Sequence, residues 1–162
     1  MFDNIPPLIW VHFLSTLVAL PLGLQQLVGQ KGGPGHRLGG RIYIVAMLLA
    51  LLSALASFKP ETRFLPFHIL AIVGLSSLTQ GTLALRRWLR TRSPAALRQH
   101  KISMAFSWLG LAMAGVSQIT SNPRFGIVGG MPPAQFWTVL ALTNAVMMAL
   151  GVWWVFGRLV RD

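Results

Sequence analysis

Four histidines, His12, His36, His68 and His100, are spread along this chain of 162 residues, and their surroundings repeat. Lys31 to Tyr43, KGGPGHRLGGRIY, puts a His-Arg pair at the mouth of a hydrophobic segment, and Arg98 to Met104, RQHKISM, puts a His-Lys pair at another. Each is preceded by a histidine set inside the previous apolar segment, His12 or His68, followed 13 and 12 residues later by Gln25 and Gln80. Imidazole is the chemistry these positions offer. Two imidazoles from facing helices at one depth can take both axial positions of a b-type haem iron. Alternatively, they can bind zinc or copper, or serve as interfacial polar residues with no cofactor.

A flat porphyrin between helices needs small residues beside it. Thr16, Ala19 and Gly23 continue the His12 face, and Ser103, Ser107, Gly110 and Ala114 form a small-residue stripe after His100, a pattern that also permits close helix packing. Gly39 and Gly40, beside His36, would let a ring approach the backbone. Arg37, Arg41 and Lys101 are available near the inner pair for haem propionates, since Arg can hold a carboxylate bidentately. Lys59 and Arg63 are available near the outer pair. Tyr43, seven residues after His36 and so on the same face, would donate a hydrogen bond or anchor its helix.

The bland readings differ by residue. An ionisable group inside a span is costly and usually has a role, which favours His12 and His68 as ligands. Taken singly, His36 and His100 read as boundary residues, and it is the alternation over four spans that argues for a joint diheme site. Gln25, Gln26, Gln80, Gln118 and Asn144 read as helix-helix glue. The methionines read as packing residues, with Met47 or Met104 as a remote ligand alternative.

The elements that must position these residues follow from composition. With 54% hydrophobic residues, 10% charged and a mean hydropathy of +0.61, the chain is far too apolar for a soluble domain and reads as one integral membrane domain. Five apolar segments reach the roughly 20 residues that a bilayer core requires. Their expected bounds are 5–28, 38–58, 64–85, 102–121 and 134–157, giving an all-α membrane protein with a four-helix bundle core and one flanking helix. Pro21 should kink the first span. The segment Arg86 to Lys101 reads as the longest polar connection.

Of the 14 Lys and Arg, all but Lys59, Arg63 and Arg124 fall on one side of this arrangement, which predicts the N-terminus outside and the C-terminus inside. His12 then lies roughly 10 Å into the outer leaflet and His68 roughly 6 Å, with His36 and His100 at the inner surface. The two hairpins run in the same direction, so His12 would face His68 and His36 would face His100. His36 precedes the dense apolar run at Ile42 by six residues, setting the inner site close to water.

Several chemistries drop out. The formal charge of +11 with no basic reading helix outside the membrane argues against nucleic acid and for topology signals and anionic lipid contacts. The chain has no cysteine, which excludes disulfides, thiolate sites, iron-sulfur clusters and c-type haem attachment. Asp3, Glu61 and Asp162 are its only acids, none in mid-span, which argues against carboxylate-based proton-coupled transport. No Walker, Rossmann, zincin or Ser-His-Asp arrangement occurs. MFDNIPP has no basic n-region, so the first span is expected to remain as a helix and not to be a signal peptide.

The HRLGGRIY stretch, the upstream His and Gln pair and the basic run into QHKISM resemble a bacterial family of uncharacterised predicted multi-pass membrane proteins with an HRxxGRxY motif, over most of the chain. The architecture resembles cytochrome b561-type diheme transmembrane proteins. That resemblance implies His12 and His68 as ligands of an outer haem b, and His36 and His100 as ligands of an inner one. It also implies a membrane oxidoreductase or electron-carrier subunit of the bacterial inner (plasma) membrane, exchanging electrons with a quinone or a redox protein, alone, as a homo-oligomer or within a complex. The competing expectation is a non-redox module, an assembly factor or small-solute or metal transport protein with interfacial or metal-binding histidines.

Overall fold

A computed structural model describes residues 6–57, 66–121 and 131–159. The described residues form helices and no strand. The helices are α1 (Pro7–Val28), α2 (Pro34–Ala56), α3 (Pro66–Thr91), α4 (Pro94–Ser121) and α5 (Pro133–Trp154), the last continued by a π-helical turn, Val155–Leu159. All five are long and apolar enough to cross a membrane. Lys59, Arg63, Arg124 and the three acids lie outside the described residues.

Every helix begins on a proline. Proline at the first helical position is favourable, because its missing N–H is one that the helix could not use and its φ is already helical. This explains why α2 and α4 start ahead of the hydropathy pattern, at Pro34 and Pro94 in place of the expected 38 and 102. His36 and His100 are thereby helical residues. The expected polar connection from Arg86 to Lys101 resolves into two helix ends joined by Arg92 and Ser93. With 26 and 28 residues, α3 and α4 extend to about 40 Å, longer than a hydrocarbon core of about 30 Å, so their basic ends can reach past it.

The turn between them is tight. Arg92 adopts φ 53, a left-handed conformation that usually falls to glycine after a helix, while its N–H bonds the Trp88 carbonyl at 2.8 Å. Its guanidinium lies over the Trp88 ring, 4.8 Å from the centroid, a cation-π contact that offsets part of the backbone cost. α1 is continuous through Pro21.

The chain divides into two compact units, Met1–Trp108 and Leu109–Asp162. In the first, α1 and α2 pack antiparallel. His12 meets Ala50 and Ser53, Gly23 meets Tyr43, and Gln26 lies against Gly39. α3 packs on α2 with Gly74 against Leu51, and the start of α4 packs on α3 with Met104 against Gly81. Tyr43 and Ser107 join α2 to α4. The core is small-residue rich: Ala19, Ala46, Ala50, Ala71 and Ala105 are buried, and Tyr43, Met47 and Leu78 are the large side chains buried most completely. Such residues let helix backbones approach where lipid supplies no hydrophobic driving force between helices.

In the second unit, the end of α4 runs antiparallel to α5. Leu109 packs into the space that Gly151 leaves, and Asn144 Nδ2 donates to Ser117 Oγ at 2.8 Å. Asn144 is thus the glue expected of it. Gln80 bonds Ser76 within its own helix, and Gln25 and Gln118 are exposed.

Candidate functional site

The two histidines that open α2 and α4 come together by register. Tyr43 Oη and Ser107 Oγ lie 2.8 Å apart, which fixes a common level on these parallel helices. Seven residues back on each stand His36 and His100, both about 10 Å from that level. The two imidazoles are therefore at one depth, and near enough for the charge of one to act on the other.

His100 is also oriented. Its Nδ1–H donates to the Gly81 carbonyl at 2.9 Å. A carbonyl only accepts, so the proton sits on Nδ1 and Nε2 keeps its lone pair. That is the tautomer in which a metal-binding histidine is normally held, with the nitrogen that does not bind the metal tied to a carbonyl. Glycine makes the approach feasible, since a Cβ on Gly81 would meet Met104 Sδ at 2.7 Å.

His12 shows the same device at the other end. Its Nδ1–H donates to the Ala50 carbonyl at 2.9 Å, with Ser53 Oγ at 3.3 Å. The Ser53 hydroxyl donates in turn to the Leu49 carbonyl at 2.6 Å. His68, the third residue of α3, is buried. His12 and His68 are staggered. His12 is level with Ser53, whereas His68 precedes Gly74 by six residues, and Gly74 packs on Leu51, which brings His68 level with Ser57. Four residues of helix separate the levels, about 6 Å.

The remaining candidates take several roles. Arg37 and Arg41 are exposed, and Arg37 Nε donates to the Gly32 carbonyl at 3.2 Å. Lys101 is half-buried. The space over Gly39 is occupied by the Gln26 amide, and Gln26 Oε1 lies 3.6 Å from where a Cβ on Gly40 would stand. That oxygen is buried without a hydrogen-bond partner. Tyr43 is buried, and because Ser107 gives its proton to the Met104 carbonyl at 2.8 Å, the phenol is the donor in the Tyr43–Ser107 bond.

The small faces admit aromatic side chains. A Cβ on Gly23 would collide with Trp108 Cδ1 and stand 2.6 Å from Tyr43 Cε2. The Trp108 indole N–H donates to the Leu20 carbonyl at 2.8 Å. Ser103 and Ser107 are buried, whereas Gly110 has open space beside it. Sequence reading passed over Trp108, Ser53 and Gly81. The glycine in mid-helix was the available signal, and a backbone carbonyl carries none.

Among the described residues, no group of three or more His, Cys, Asp or Glu is gathered closely enough to hold a metal ion. His36 and His100 are the two imidazoles that the geometry brings to one level and within reach of each other's charge. Residues 9–159 match the model of a family described as a predicted membrane protein (DUF2306). No curated protein and no solved structure matches the chain.

Proposed function

We propose that this chain, which belongs to the DUF2306 family of predicted membrane proteins, carries electrons across a membrane through two bis-histidine b-type haems, His36 and His100 holding the inner one and His12 and His68 the outer. The observation that carries this reading is the level placement of His36 and His100, with the His100 Nδ1–H tied to the Gly81 carbonyl and Nε2 left free. A porphyrin iron wants such a donor set: two neutral imidazoles, oriented by hydrogen bonds to carbonyls. Bound there, haem supplies one-electron redox chemistry, and the protein sets its potential by burial and axial ligation.

This chain's own residues do the rest. The Gly81 and Ala50 carbonyls fix the tautomers of His100 and His12. Arg37, Arg41 and Lys101 stand at the inner end as cations for propionates. At the outer site His12 and His68 would hold the group from levels about 6 Å apart along the helix axes. The charge distribution supports a bacterial inner-membrane orientation with the N-terminus outside, and the apolar setting suits a quinone or a membrane redox protein as exchange partner.

The test is a dithionite-reduced minus oxidised spectrum of purified protein with haem counted per chain. Two b haems per chain are expected, His100→Ala and His36→Ala each removing the inner one and His12→Ala and His68→Ala the outer. Colourless protein from haem-replete cells would sink the reading. If that protein retained zinc or copper through His36 and His100, it would be a metal-binding module instead.

A further inference from the structure

The end of the first unit that carries His36 gathers cations around one short loop. Lys31 folds back so that its ammonium donates to the carbonyls of Gln26, Leu27 and Gly29, at 3.0 Å for Gln26 and 2.9 Å for Gly29. Arg37 Nε donates to the Gly32 carbonyl on the same loop. Lys101 arrives from α4. The contact of Gly23 with Trp108 sets α1 against α4, and seven residues onward from Gly23 and back from Trp108 stand Gln30 and Lys101. Lys101 is therefore level with the loop, and it and Lys31 act on each other's charge. Among the described residues there is no carboxylate to answer them.

Two further features say what kind of anion would fit. Positions 33 and 35 open onto free space, where a Cβ would meet nothing within 4 Å. Beside the loop, Leu24, Val28, Leu38 and Ile42 expose an apolar flank of α1 and α2, Val28 to 66%. A phosphodiester answers the cations, and acyl chains answer the flank. A zwitterionic headgroup would bring its own cation into a cluster of cations. We propose that this loop and the adjoining flank bind an anionic phospholipid, its phosphate recognised by Lys101, Arg37 and the Lys31 loop. The lipid site does not require haem, but it claims Arg37 and Lys101, the cations assigned above to the propionates, so the test must tell the two uses apart.

The test uses full-length protein in detergent, native mass spectrometry with phosphatidylglycerol or phosphatidylcholine, and thermal shift with inorganic phosphate. The variant is Lys101→Gln with Arg37→Gln, leaving Lys31 to cap α1. Its charge-matched control is Arg86→Gln with Arg87→Gln, on the exposed end of α3. Phosphatidylglycerol binding is expected to exceed that of phosphatidylcholine and to fall about thirtyfold in the variant, at about fivefold per charge, and by less than about threefold in the control. Should the double variant fail to fold, Lys101→Gln alone should lose about fivefold.

Equal losses in variant and control would reduce the site to diffuse surface charge and overturn it. Stabilisation by inorganic phosphate without lipid retention would overturn it in favour of a soluble anion. Haem loss in the variant with lipid binding intact would assign these cations to propionates, overturning the lipid site while leaving the redox reading standing. Protein without haem that still selects phosphatidylglycerol would do the reverse.

Discussion

At the scale of single residues, Gly23, Tyr43, Ser107 and Trp108 form one junction where three helices meet. Adding a methyl at Gly23 forces two packed rings apart, so Gly23→Ala should destabilise the protein by about 1–3 kcal/mol, read as a lowered melting temperature in detergent. Tyr43→Phe keeps the ring and removes one proton, and should cost about 0.6–1.7 kcal/mol, the range for hydrogen bonds between membrane helices. No loss in Tyr43→Phe would mean that Ser107 re-pairs in the variant. The types of these residues were legible in the sequence, and Tyr43 was expected either to donate a hydrogen bond or to anchor its helix. It donates, to a serine 64 positions away. Periodicity put Ser107 on a stripe but could not choose its neighbour.

At the scale of elements, helix starts are written in prolines and helix ends in side chains that reach back. Hydropathy alone placed α2 and α4 late, because the first turn of α2 holds His36 and Arg37 and the second turn of α4 holds Arg98, His100 and Lys101. Lys31 ends α1 by giving its protons to the last carbonyls, which also places a cation at the negative end of the helix dipole. Burial, and then the neighbouring Lys101, push its ammonium below the ordinary lysine range. Between its lowered folded pKa and the unfolded value of 10.5, the unfolded chain holds more protons, so stability should rise with pH in that window. Lys31→Met should flatten that rise in a series of urea or thermal midpoints, and an unchanged slope would assign the effect to another group.

At the scale of the whole molecule, the prediction concerns direction. The chain has no cysteine, so single cysteines report without background. In intact cells a membrane-impermeant maleimide should label Met131→Cys, before α5, and spare Gly33→Cys, before α2. The opposite result would invert the topology and move His36 and His100 to the outer face. The sequence by itself determined the class of this protein: five apolar runs long enough to span, with the charge bias that supports one orientation, because composition and span length depend only on local residues and the bilayer. It also singled out four histidines by position along the spans. Only the tertiary structure decided their partners. Helix rotation and relative register come from packing: Tyr43 on Ser107 brings His36 level with His100, while His12 on Ser53 and Gly74 on Leu51 stagger His12 and His68. The carbonyls of Gly81 and Ala50, which set the histidine tautomers, are the same atoms in every residue type, so no sequence pattern could have named them.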